Sequence, residues 1–170
     1  MSKIENISNI IDIYFREETI TKLKEDQANM SIDFVSDGQR CLAYIFDKNL
    51  PNRDFPKGLF PFFNRGVPNV TSLCDYILFT EKGSELYVLL IELKKGNDNV
   101  TRQLYASKCF VDYIISTVNR VYKSEINPQI RLISIRERHV KPKQKQKEIV
   151  YENNFHNFCS SKFRLKAYLK

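Results

Sequence analysis

Asp75, Glu92 and Lys94 are the residues whose types and spacing could do chemistry together. They lie in CDYILFTEKGSELYVLLIELKK, residues 74–95. Glu92 and Lys94 interrupt the end of an apolar run that begins at Leu86. Charges in such a place are costly unless they pair or hold a metal. Side chains alternate along a strand, so Glu92 and Lys94 share one face while Ile91 and Leu93 take the other. Glu81, Lys82, Gly83 and Ser84 supply turn chemistry. A hairpin of Cys74–Thr80 with Leu86–Lys94 therefore brings Asp75 beside the pair. Two carboxylates form a hard oxygen site suited to magnesium or manganese. A lysine beside them can orient or activate a water and offset charge on a phosphate. Together they are the parts needed for metal-assisted phosphodiester hydrolysis. The plainer reading is a salt-bridged strand end, Glu92 with Lys94 or Lys95.

Asp75, sixteen intervening residues, then Glu92-Leu93-Lys94 resemble the core of the PD-(D/E)XK nucleases, the restriction-endonuclease-like superfamily. Thr101-Arg102-Gln103-Leu104 resembles the glutamine-bearing helix that follows the lysine in many members. The resemblance covers roughly residues 73–118. Cys74 stands where the family usually carries a proline. Ser107 stands where some members carry an aromatic, four residues after the glutamine. The resemblance implies an α/β fold with a restriction-endonuclease-like core, a mixed central sheet flanked by helices. It also implies a magnesium (or manganese) ion held by Asp75, Glu92 and the carbonyl of Leu93. Lys94 would act on the attacking water, and Gln103 would bind that water or the substrate phosphate. An acid from the first helix often completes such sites. Glu18 fits best, with Glu17 and Glu25 as alternatives. The implied activity is metal-dependent DNA hydrolysis, serving restriction, defence or repair. The competing readings are an inactive nucleic-acid-binding or structural subunit of the same fold, and an RNA nuclease.

The elements that must position these residues follow from periodicity. Ile4, Ile7, Ile11 and Tyr14 recur at helical spacing, predicting a helix over 3–18 with Glu18 continuing its packed face. Residues 20–30 extend that helix or form a second one. Residues 31–38 read as a short strand or loop, with Asp37-Gly38 as a turn. Residues 40–47 read as a strand, with Cys41, Ala43 and Ile45 on one face and Leu42, Tyr44 and Phe46 on the other. Four of the six prolines make 49–68 irregular, and its phenylalanines anchor it to the core. Thr101–Val118 reads as a helix with a stripe of Leu104, Cys109 (or Lys108), Val111, Ile115 and Val118. A strand over 129–135 completes an α/β crossover. Phe155, Phe158, Cys159 and Phe163 predict a terminal helix.

The 170 residues suit a single domain, and their formal net charge of +7 favours a polyanionic partner. Arg53, Lys57 and Arg65 in the irregular stretch, with Arg102 on the helix, are candidate phosphate contacts. Lys141, Lys143, Lys145 and Lys147 form a basic run able to follow a nucleic-acid backbone without reading bases. The four cysteines form no CxxC pair, which argues against a zinc knuckle, and they read as reduced thiols. No apolar run is long enough to span a bilayer, and residues 1–15 lack the basic-then-apolar order of a signal peptide, so the expectation is cytoplasmic. With no obvious specificity domain, the chain is expected to act as a homodimer or as a subunit of a larger complex.

Overall fold

The computed structural model describes residues 2–26, 29–46, 48, 50–95, 99–136, 149, 151, 155–159 and 161–170, with the backbone alone at 157–159. Its elements are α1 (Lys3–Ile10), a 3-10 turn (Ile13–Phe15), β1 (Arg16–Glu17), β2 (Lys22–Glu25), β3 (Met30–Val35) and β4 (Cys41–Tyr44). Then come β5 (Tyr76–Lys82), β6 (Glu85–Lys94), α2 (Thr101–Tyr122), β7 (Gln129–Arg136), β8 (Phe155–Cys159), β9 (Lys162–Arg164) and a closing 3-10 turn (Leu165–Tyr168). The fold is α/β. Its central mixed sheet runs β1-β4-β5-β6-β7-β8, and a second sheet runs β2-β3-β9.

Strand β6 is the centre, and its apolar run has a direct cause. Leu86, Val88 and Leu90 face a core shared with Ile4 and Ile7 of α1 and with Leu104, Val111 and Val118 of α2. Tyr87, Leu89, Ile91 and Leu93 face a second core, closed by Leu23, Ile32, Phe34 and Phe163 of the small sheet and by the last 3-10 turn. A strand buried on both faces cannot alternate polar with apolar. The β5–β6 hairpin closes through Gly83-Ser84, with Lys82 paired to Glu85. Gly83 takes φ +61° there, a conformation that a Cβ disfavours. Beyond β6 the chain crosses over through α2 and returns as β7, parallel to β6.

Strand β4 lies beside β5. Leu42, Tyr44 and Phe46 join the helix-side core, and Ala43 joins the other. The stretch between β4 and β5 is a chain of turns. Phe55 packs edge-on to Phe15 at 5.6 Å between ring centres, and Phe60 packs edge-on to Phe110 at 5.4 Å. Among the described residues no helix is long and apolar enough to cross a membrane.

Four expectations are corrected. The first helix stops at Ile10, because Ile11 turns extended and the Asp12 carboxylate accepts the Tyr14 N–H at 2.8 Å. Arg16 and Glu17 then pair with β4 instead of continuing a helical stripe. Where a helix is expected over 20–30, β2 forms instead and pairs antiparallel with β3, which falls where the sequence reads a short strand or loop. In β3, Met30, Ile32 and Phe34 are buried while Ser31 and Asp33 are exposed, a period of two. The terminal segment adds β8 to β7 and β9 to β3 in place of a helix. Short aromatic runs do not distinguish the two periods, and the open sheet edges supplied partners. In α2 the inward stripe passes through Ser107, while Cys109 is exposed.

The strand reading of β2 predicts a parity pattern. Leu23→Ala should cost about 2–5 kcal/mol, as for a buried leucine. Lys22→Ala and Lys24→Ala should each stay within about 0.5 kcal/mol, as for exposed sites. Urea unfolding of the three variants checks this, and equal losses at all three positions would exclude it.

Candidate active site

The cross-strand register builds the site. Tyr76 pairs with Ile91, and one step further along the antiparallel ladder sets Asp75 opposite Glu92. The Leu93 N–H donates to Asp75 Oδ2 at 2.6 Å, which fixes the carboxyl at the strand end. Glu92 continues the face of Val88 and Leu90 and is 1% exposed. Lys94 shares that face, with its Nζ 3.2 Å from Glu92 Oε1. These contacts lie at one end of an open cleft of about 990 Å³, which Gln103 also lines from the first turn of α2. Asp75, Glu92, Lys94 and Gln103 are therefore brought together.

The third acid comes from an element that helical periodicity misplaced. Leu23 and Glu25 share one face of β2. Leu23 enters the core, and the Glu25 carboxyl hydrogen-bonds Asp75. Tyr76 holds that strand in place. Its hydroxyl accepts the Lys24 N–H at 2.8 Å and donates to the Lys24 carbonyl at 3.2 Å. Glu17 lines the cleft and lies 4.0 Å from the Lys48 ammonium. Glu18 is exposed and lies outside the cleft lining, since the helix that would have carried it inward ends at Ile10.

The electrostatics follow from packing. Burial, then repulsion from Glu92, pushes the Asp75 carboxyl up to about 9, with Glu25 adding to the effect and the Leu93 N–H opposing it. A hydrogen bond between two carboxyl groups needs a proton on one of them. Burial also pushes the Cys74 thiol well above its usual range, and the thiol donates to the Tyr76 carbonyl at 3.3 Å. Cys74 is thus no thiolate nucleophile.

Among the described residues no group of three or more His, Cys, Asp or Glu side chains is arranged to hold a metal ion. Magnesium does not require one. It usually keeps several waters and binds through one or two carboxylates plus substrate phosphate. The donor set of Asp75 and Glu92 fits that chemistry.

Ser107 solves a problem posed by Cys74. Cysteine at 74 brings a backbone N–H that a proline there would lack, and Cys74 is 1% exposed. Ser107 Oγ accepts that N–H at 2.7 Å and donates to the Gln103 carbonyl at 2.8 Å. One buried hydroxyl thus ties the strand of Asp75 to the helix turn of Gln103. The polar residue at 107, three positions past Leu104 on the inward stripe, was the sequence signal for it.

The other candidates lie elsewhere. Arg53, Lys57 and Arg65 are exposed on the turns before Asp75 and do not line the cleft, and the Arg65 guanidinium donates to the Lys57 carbonyl. Arg102 is exposed on α2 and also lies outside the lining. Lys141, Lys143, Lys145 and Lys147 lie outside the described residues. His156 is buried, with its ring 5.6 Å from that of Tyr168.

Compared with models of protein families, with curated proteins and with solved structures, the chain shows no significant match.

Two measurements test this geometry. Ser107→Ala should cost about 1–3 kcal/mol by orphaning the Cys74 N–H. In a Cys74→Pro background, where that N–H is gone, the cost should shrink by about 1 kcal/mol or more in a double-mutant cycle. Identical costs in both backgrounds would sever the link. The second measurement concerns pH. The folded Asp75 pKa, about 9, lies above its unfolded value of 3.8, so the folded state binds more protons between them. The Asp75 contribution to stability is therefore fully present below about pH 3.8 and is lost as pH rises toward 9. In chelator, unfolding midpoints of wild type and Asp75→Asn should diverge across that window, with the variant the more stable at the upper end. Parallel profiles would count against the shift.

Proposed function

We propose that this protein is a divalent-metal-dependent phosphodiesterase of the restriction-endonuclease-like kind, hydrolysing DNA. The observation that carries the proposal is the convergence of Asp75, Glu92 and Lys94 at the end of the β5–β6 hairpin, with Lys94 Nζ 3.2 Å from Glu92. The α/β fold with its central mixed sheet supports the reading. DNA is favoured over RNA because that fold most often serves DNA cleavage, an argument from analogy.

Asp75 and Glu92 would hold magnesium or manganese, with the Leu93 carbonyl as a further ligand. When bound, the ion supplies Lewis-acid stabilisation of charge developing on the scissile phosphate. The repulsion from Glu92 and Glu25 that raises the Asp75 pKa marks where positive charge would relieve the carboxyl cluster. Lys94 would orient the attacking water and, as an ammonium donor, ease its deprotonation by stabilising the hydroxide formed. Its ammonium is held toward the carboxylates by Glu92, and its side chain is 28% exposed, so it stays within reach of solvent. Gln103 faces the same space from α2 and can donate to a phosphate oxygen or position the water.

A second reading is a nucleic-acid-binding subunit that keeps the fold without the chemistry. It draws on the 3.2 Å pairing of Lys94 with Glu92. The same ion pair would then be an ordinary strand-end salt bridge.

Cleavage and calorimetry separate the two. Lys94→Ala should lower cleavage of a mixed DNA panel in magnesium or manganese by ~10²–10⁴-fold, the usual contribution of a positioned proton-transfer group, while metal affinity persists. Asp75→Ala and Glu92→Ala should lose metal affinity and activity together. Chelation of the wild type should abolish cleavage reversibly. A wild type that binds no divalent ion and cuts neither DNA nor RNA belongs to the second reading.

A further inference from the structure

We infer that β2 is a cationic arm at the rim of the cleft that grips the substrate backbone, with Lys22 and Lys24 as its phosphate contacts. This rests on the nuclease reading and adds a binding surface to those the sequence suggests on the turns before Asp75, at Arg102 and in the run Lys141 to Lys147.

The argument begins with strand parity. Leu23 is buried, and Glu25 turns inward to Asp75. Lys22 and Lys24 therefore take the opposite face of β2, are both exposed and both line the cleft. Lys22 lies 3.8 Å from Asp33, but both side chains are more than half exposed, so that pair is weak and easily exchanged for a phosphate. Two residues along an extended strand span ~6.6–6.8 Å, so the two ammonium groups can meet different phosphates of one strand.

The charge pattern of the cleft adds to this. Its lining holds five carboxyls, Glu17, Glu25, Asp26, Asp75 and Glu92. Facing them are five lysines, Lys22, Lys24, Lys48, Lys94 and Lys95. A polyanion approaching Asp75 and Glu92 alone would be repelled, and lysines beside the acids offset that repulsion. The arm is also held in register with the chemistry. Tyr76, the residue after Asp75, clamps both backbone groups of Lys24 through its hydroxyl. The residue pair that presents the carboxylate thus also holds the backbone of Lys24. By contrast, Arg53, Lys57, Arg65 and Arg102 lie outside the cleft lining.

Lysines on an outer strand also guard against edge-to-edge aggregation, and β2 is an edge of its sheet. Binding distinguishes the two roles. The probe is a fluorescein-labelled mixed-sequence DNA duplex, with an RNA of the same sequence beside it. The protein is the full chain carrying Lys94→Ala, so that the probe stays intact. Adding Lys22→Gln and Lys24→Gln should flatten the plot of log affinity against log salt by about 1.8 for the duplex. Affinity near 0.1 M salt should fall by roughly ten- to a hundred-fold. Calorimetric metal affinity and the urea midpoint should not move. Unchanged affinity and slope in a parent that binds the duplex would assign the lysines to edge protection and overturn the inference alone. A parent that binds neither probe would overturn the nucleic-acid reading and this inference with it.

Discussion

The hydrogen bond from the Leu93 N–H to the Asp75 carboxyl is the contact on which the site depends. It forms where the β5–β6 ladder ends and holds a carboxyl opposite the buried Glu92. Nothing in hydrophobic packing favours two carboxyl groups there. The arrangement stands because each has a specific polar partner: Leu93 and Glu25 for Asp75, and Lys94 for Glu92. Burial of like charges stores electrostatic free energy that a proton or a cation releases. The position is stable as scaffold and responsive as chemistry for the same reason.

The surrounding layers are arranged to keep that end of the sheet open. On one face, α1 and α2 cover β5 and β6 up to Leu90, and α2 begins beside the charged pair. On the other, the β2-β3-β9 sheet packs on Leu89, Ile91 and Leu93 and extends its edge strand to the cleft. Each layer is tied to the site by one polar link rather than by packing alone. Ser107 joins α2 to Cys74, and Tyr76 joins β2 to β5. Both links flank Asp75 in sequence, so a shift in either layer is transmitted to the carboxyl.

Cys74 and Ser107 illustrate how polar groups far apart in the chain depend on one another. In space they are donor and acceptor of one buried hydrogen bond. Cysteine at 74 carries a backbone donor that a proline would lack, and a serine on the facing helix satisfies it.

The sequence by itself determined the hairpin, the shared face of Glu92 and Lys94, the strand beside β5 and the helix that carries Gln103. These are set by the alternation of side chains, by a glycine at a turn that needs positive φ, and by strong periodicity over many residues. Tertiary structure alone decided where the first helix stops, that residues 22–25 are a strand, and that the terminal aromatics enter two sheets. Runs of three or four apolar residues satisfy helical and extended periods equally well, so the available partner chooses between them. For that reason Glu25, not Glu18, reaches Asp75: the choice was made by the pairing of β2 with β3 and by the Tyr76 hydroxyl, contacts between residues far apart in the chain.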